Sequence, residues 1–365
     1  MDPNKEISIV GMQQSDDNPY VDLLYNALED EGITVCQGVN YKLLPLTRSS
    51  LDHTDAEVIQ LDWLYGYYMA NGFTGTRIAD FAITVCRTFF FLIDLFIIYF
   101  RQTSVVWTVH NKSHHESKYP RTERIVNEMM CWVSDAITVK CEHAKCEVES
   151  AFWMAGLDKM YVVSDGNYIP AYENSISKQE ARMELGVDNS TFVYLYFGMI
   201  REYKGIPNLI DSFNNIDQSN AELWIVGNAS SEGIREDIQE CVSDAENIFT
   251  VFEFVEADQV QFYMNAADTL VLPYRNILNS GTVHLGLSFG LPIVAPEMGC
   301  IPATTPKENE FLYDKSDPKA LVRALTQVRE HDDLQTVREA NYQRAVSQSW
   351  NKSAQKLKDV YESVT

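Results

Sequence analysis

Apolar runs recur through the first half of the chain, at Ile7 to Val10, Ile33 to Val35, Val58 to Leu61, Val105 to Val109, Ala136 to Val139 and Met160 to Val163, separated by amphipathic segments. Short strand-like runs alternating with helix-length stretches predict βαβ units wound around a mostly parallel sheet. A polar stretch, Ala171 to Glu180, follows Pro170, and a fresh series of runs then opens at Phe192 to Phe197. It continues with Leu223 to Val226, Ile248 to Phe252, Thr269 to Leu272 and Pro292 to Ala295, which predicts a second doubly wound sheet beyond a boundary near residue 170. Asp317 and Pro318 mark the start of a helix over Lys319 to Glu330, and the chain closes on an amphipathic segment from Leu334 to Val364. No internal repeat or low-complexity tract interrupts this order.

The most apolar stretch, Thr88 to Phe100, is short for a membrane span and contains Asp94, with Arg87 and Arg101 at its ends. It reads as a helix buried against a sheet, ahead of an interfacial element meeting a lipid-linked acceptor.

Composition narrows the function classes. At 365 residues and 45% hydrophobic content the chain can bury two cores. The 52 acidic against 29 basic residues give a formal charge of -23, a field that disfavours nucleic acid as a partner. Seven cysteines without a repeated spacing form no disulfide framework and point to a reducing, cytoplasmic setting. The start, Met1 to Glu6 leading into an apolar strand, has no secretion-signal pattern.

In doubly wound sheets ligands gather beyond the carboxyl ends of the strands, so the residues just after each apolar run carry the candidate chemistry. Gly198 to Gly205 follows one such run. Its glycines allow close backbone approach, and Arg201 and Lys204 supply cations suited to a diphosphate. Ser280, Gly281 and Thr282 stand where a helix begins, offering backbone N–H groups and hydroxyls to an anion, or simple N-capping by Asn279 or Ser280. His110 follows Val105 to Val109, with His114, His115 and Glu116 behind it; no third ligand completes a metal site, and no metal is expected. Gly11 to Tyr20 lacks the dinucleotide fingerprint, and Asn18 and Tyr20 are candidate acceptor contacts together with Asn111.

The order Phe-Gly-x-Ile-Arg-x-Tyr-Lys-Gly at 197–205, Leu223 to Gly227, Ala266-Ala267-Asp268 with Leu272-Pro273-Tyr274, and Gly290 to Pro296 resembles glycosyltransferase family 4 over residues 192–315. The first half is similar more loosely, through Asn18-Pro19-Tyr20, Asp62-Trp63 and Trp107 to Asn111. The resemblance implies an α/β protein of GT-B architecture: an acceptor-side Rossmann-like domain at 1–170, a nucleotide-sugar-binding one at 171–345 facing it across a cleft, and a C-terminal helix at 346–365 crossing back to the first. It implies transfer of a sugar, with retention, from a nucleotide-sugar donor to a hydroxyl acceptor, read here as a glycan or lipid-linked one; no cofactor is expected beside the nucleotide sugar. It places Gly198, Arg201, Lys204, Ser280, Gly281 and Thr282 on the donor diphosphate and His110 beside the anomeric carbon. The expected setting is the cytoplasm, as the cysteines suggest, with peripheral contact at the inner face of the membrane as a further option.

One departure stands out. The family's two glutamates, eight residues apart, are replaced by Ile277 and Leu285, and Glu297 is a candidate replacement carboxylate. Their loss keeps open a non-catalytic nucleotide-sugar-binding subunit, and the same fold would also serve a sugar-nucleotide epimerase or hydrolase.

Overall fold

The computed structural model describes residues 7–13, 19–39, 43–70, 76–101, 103–112, 118–243 and 245–365. The chain divides into two compact units, one formed by the residues up to Gly166 together with Trp350–Thr365, the other by Asn167–Ser349. The polar stretch after Pro170 therefore lies inside the second unit, where Ser177 and Glu180 form a reciprocal capping box on the helix Lys178–Leu185.

The first unit holds a six-stranded, all-parallel sheet of β1 (Ser8–Gly11), β2 (Thr34–Gln37), β3 (Val58–Leu61), β4 (Ser104–Thr108), β5 (Ala136–Val139) and β6 (Met160–Val162), in the order β2-β1-β3-β4-β5-β6. Every residue of β3 and β5 is buried, as a parallel sheet covered by helices on both faces requires. The second unit repeats the plan with β7 (Phe192–Phe197), β8 (Ala221–Val226), β9 (Ile248–Val251), β10 (Thr269–Val271), β11 (Ile293–Pro296) and β12 (Leu312–Tyr313), ordered β12-β11-β10-β7-β8-β9. The two-residue β12 carries too little pattern to be seen in sequence. In each sheet the strand order reverses once, beside β1 in the first and β7 in the second, and such reversals open a crevice at the carboxyl ends of the strands.

The C-terminal segment breaks at Gln348 and Ser349 into two helices, Leu334–Ser347 and Trp350–Val364. Trp350, Ala354, Leu357 and Tyr361, spaced along one face, join Tyr20, Val21, Leu24 and Leu28 in a buried cluster of the first unit. Burial on this scale contributes about 1.5–3 kcal/mol per large apolar side chain, which holds the last helix on the first unit despite the long excursion of the chain.

The long apolar helix differs from expectation. It runs over 23 residues, Arg77–Tyr99, long and apolar enough by length and composition to cross a membrane, and its inner face mixes polar residues with Phe91, Leu95 and Ile98 while its outer face is largely apolar. Asp80, Thr84, Thr88 and Asp94 face inward, while Ile78, Phe81, Val85, Phe89, Phe96 and Tyr99 face out, with Ile78 85% and Phe89 60% exposed. The inward polar groups are used by the unit. Asp94 accepts the backbone N–H groups of Leu46 (2.7 Å) and Thr47 (2.9 Å) at the start of the helix Pro45–Asp52, Thr84 accepts from Ala70, and Arg87 donates to the carbonyls of Met69 and Gly66. Burial pushes the Asp94 carboxyl up, and the Thr47 and Leu46 donors pull it back only in part.

Candidate functional site

In the first unit, residues just past four successive strands meet. Asp62 follows β3, His110 lies two residues beyond β4, Lys140 follows β5, and Asp165 lies three residues beyond β6. His110 Nε2 and Asp62 Oδ1 are 2.9 Å apart, Tyr20 donates its hydroxyl to the same carboxylate (3.1 Å), Lys140 donates to the Tyr20 oxygen (3.1 Å), and Lys140 pairs with Asp165 at 2.6 Å. Two carboxylates and one lysine are thus buried as a chain of charge-assisted hydrogen bonds, since unpaired burial of any of them would cost several kcal/mol. Burial alone would raise the Asp62 carboxyl; the hydrogen bond and charge of His110, then Lys140 and Tyr20, outweigh it and hold Asp62 below its ordinary range. Burial and the Asp62 charge push the Tyr20 phenol well up, so it stays a donor.

Rings fix His110 from several sides. Trp63 stacks on the imidazole at 4.4 Å between centroids, and Tyr20 meets it edge-on at 5.0 Å. Beneath the network, Gln60 of β3 donates to Thr108 (2.8 Å) and accepts from Tyr361 (3.0 Å) of the last helix, tying the site to the end of the chain. His110, Asp62, Trp63, Tyr68, Asn111 and Glu123 are among the residues lining a cavity of about 80 Å³.

The structure thus brings His110 and Asn111 to one cavity, whereas Tyr20, 4% exposed, sits behind His110 with its hydroxyl committed to Asp62 and Lys140. It supports His110 instead of presenting an open acceptor contact. Asn18, like His114, His115 and Glu116, lies outside the described residues. Sequence reading passed over Lys140 and Asp165 because nothing local pairs them; their positions just past β5 and β6 were the available signal.

In the second unit two loops converge at the strand-order reversal. Gly198 to Gly205 follows β7 and Leu272 to Ser280 follows β10, the neighbouring strand. Gly198 (φ 115°) lies against Thr282, whose Oγ1 would be 3.4 Å from a Cβ placed on it. At Gly205 (φ 75°) a Cβ would fall 2.1 Å from the Pro273 carbonyl oxygen, so glycine is required for this loop contact. Arg275 N–H donates to the Tyr203 carbonyl (2.9 Å), closing the same seam.

Lys204 is held between rings, its Nζ 4.6 Å from the Tyr274 centroid and 5.3 Å from that of Tyr203. Burial lowers its pKa, an effect that Tyr203 partly offsets and Arg201 reinforces. Tyr274, pushed up to about 12 by burial, shares a 2.7 Å hydrogen bond with Ser280 and also reaches Thr282. Ser280 caps the helix Gly281–Ser288 by accepting from Val283 N–H (3.3 Å), the capping that the sequence offered as the alternative to an anion. Arg201 is half-buried, its Nε 3.0 Å from the Met199 sulfur. Ile277 and Leu285 are both buried, and Glu297 is exposed on the loop after β11. Among the described residues no group of three or more His, Cys, Asp or Glu side chains is placed to hold a metal ion.

Residues 191–331 match the family described as Glycosyl transferases group 1. The chain is 26% identical over 281 residues, 76% of its length and 70% of the relative's, to a GDP-mannose:glycolipid 4-beta-D-mannosyltransferase of Xanthomonas campestris pv. campestris. Its fold is similar to a sucrose-phosphate synthase from Thermosynechococcus elongatus (TM-score 0.74, 15% identity, 98% of each chain). It is also similar to HepE of Anabaena in complex with UDP and glucose (TM-score 0.72, 15% identity, 98% of this chain and all of the other). Two parallel doubly wound sheets and these likenesses together make the chain a glycosyltransferase of the GT-B fold.

Proposed function

We propose that the chain moves a sugar from a nucleotide-sugar donor to a hydroxyl of a lipid-linked glycan, with the second unit binding the donor diphosphate and the first acting on the acceptor. The convergence of Gly198–Gly205 with the Pro273–Thr282 segment around Lys204 carries this reading. A departing diphosphate concentrates negative charge, and Lys204, Arg201 and the N–H groups of Gly281 and Thr282 are fixed donors for it. Lys204, partly desolvated, gains from an anion, which opposes the burial that lowers its pKa. These donors supply the neutralisation that a divalent cation gives elsewhere, so turnover is expected to survive EDTA. Lys204→Ala should lower kcat/KM for GDP-mannose or UDP-glucose by about 10²–10³-fold. A variant with native turnover would overturn the diphosphate assignment.

The lipid-linked acceptor has its own support in the helix Arg77–Tyr99. Its outward face carries no acidic side chain, and exposed Arg77, Lys118, Arg121 and Arg124 accompany it in a chain of net charge -23. Tyr99 stacks on half-exposed Trp132 at 4.4 Å, a pair suited to the headgroup region. An in-plane helix on an anionic leaflet fits this pattern, as does a cytoplasmic protein peripheral to the inner membrane face. The curated relative acts on a glycolipid, in keeping with such a surface. Phe89→Glu with Phe96→Glu should abolish flotation with phosphatidylglycerol vesicles while leaving the melting temperature unchanged. Retention, implied by the resemblance to family 4, is the stereochemical course that belongs to this reading.

A further inference from the structure

Resting on the lipid-surface reading above, we propose that Trp153 and Met154 form a second lipid anchor of the first unit, separate from the helix Arg77–Tyr99, and that the two together fix how the unit meets an anionic bilayer. Strands β3, β4, β5 and β6 are neighbours in chain order, so right-handed connections lay the helices Arg77–Tyr99, Pro120–Val133 and Glu142–Ala151 on one face of their sheet. Each connection carries exposed large apolar side chains where it turns back towards a strand. Tyr99 and Phe100 stand ahead of β4, Trp132 ahead of β5, and Trp153 and Met154 ahead of β6. These positions lie at the amino ends of the strands, away from Asp62, His110 and Lys140 at the carboxyl ends.

Contacts join the three connections. Arg124, Glu128 and Trp132 lie on successive turns of the middle helix, Pro120–Val133. Trp132 stacks on Tyr99 at 4.4 Å, while the Glu128 carboxylate accepts the backbone N–H groups of both Trp153 (3.2 Å) and Met154 (3.1 Å). Arg124 lies 3.9 Å from that carboxylate and 5.3 Å from the Trp153 ring centroid. The turn is thus braced, yet Trp153 is 88% and Met154 50% exposed. Ordering a turn costs conformational entropy, and burial of the indole within the unit does not offset it. Burial in a bilayer would do so.

The chemistry fits the headgroup boundary, where an indole or phenol satisfies both its apolar ring and its N–H or O–H. Exposed Arg121 and Arg124 lie on the middle helix of a chain of net charge -23, and basic side chains there favour anionic lipid. Exposed Glu149 and Asp158 border the turn, so the tip enters no deeper than the headgroups. An in-plane helix alone leaves the unit free to roll about the helix axis. A second contact off that axis removes the roll.

The test uses the full chain with vesicles of equimolar phosphatidylglycerol and phosphatidylcholine. Trp153→Ala with Met154→Ser should weaken partition in flotation by about tenfold and leave the melting temperature unchanged. With acyl-brominated phosphatidylcholine the native tryptophan emission should be quenched, and Trp153→Phe, which keeps an apolar ring, should still float while losing part of that quenching. Native flotation by the double variant, or unchanged quenching in Trp153→Phe, overturns the second anchor; loss of flotation in Phe89→Glu with Phe96→Glu would then leave the first lipid surface standing. A double variant that floats as native but loses a dimer seen in sedimentation assigns the tip to a second copy of the chain, and that result also overturns the anchor. A native chain that fails to float overturns the lipid-surface reading, and the anchor with it.

Discussion

The two units solve the same placement problem with opposite materials. Both gather their candidate groups beyond the carboxyl ends of parallel strands beside a reversal in strand order. The first does so with side chains alone: Asp62, His110, Lys140 and Asp165 each sit after a different strand and satisfy one another in the interior. The second relies on backbone, with Gly198 and Gly205 at positive φ bringing two loops into contact and one lysine held between rings. A site of interlocked charges is rigid because removing any member strands a buried partner. On the diphosphate reading proposed above, a site built from loops can admit a large anion, because backbone N–H groups and cations are the groups an incoming phosphate completes.

This contrast can be broken or sharpened by substitution. The largest effect is expected at Trp350, which packs edge-on against Tyr20 at 5.4 Å and is 5% exposed. Trp350→Ala should destabilise the chain by about 3–5 kcal/mol in urea unfolding and lower transfer by loosening Tyr20. Gly205→Ala comes next. It forces a Cβ into the Pro273 carbonyl at an unfavourable φ, and a loss of about 1–3 kcal/mol with weakened donor binding by calorimetry is expected. Arg201→Lys should weaken donor binding about tenfold, since a point charge replaces a planar fork, without moving the melting temperature. If Gly205→Ala left donor affinity unchanged, the loop-built picture of the second unit would fail.

The smallest effect is a change of slope. Because Asp62 is held below its ordinary range, its contribution to stability is present above about pH 3.9 and is lost as pH falls through the lower folded value. Asp62→Asn should therefore be less stable than the native chain at neutral pH, with the gap closing towards pH 3 in urea titrations. A constant gap would show that the carboxylate is not ionised within the network.

The two loops of the second unit were legible because their signal is local. Gly198, Arg201, Lys204 and Gly205 lie within eight residues, and Ser280 to Thr282 stand together at a helix start. The first-unit site was legible in part, at His110, Tyr20 and Asp62, but not as a network, since His110 and Asp62 are 48 residues apart and Tyr20 and Asp62 are 42 apart. The long helix was misread for a related reason. Thr88 to Phe100 is so apolar that periodicity gives no outward face, and only packing showed that the sparse polar residues, Asp80, Thr84 and Asp94, point inward to cap and brace neighbouring segments.

By itself the sequence determined two parallel α/β sheets, because alternating strand-like runs and amphipathic helices can bury their apolar faces in few other ways. It also marked the two loops of the second unit, because glycine conformations and clustered cations are properties of a short segment. Tertiary structure decided which of the scattered carboxylates became the partner of His110, and which face of the longest helix met solvent. Those outcomes follow from the energy of burying charge, which is settled only when strands distant in sequence bring opposite charges within about 3 Å of each other.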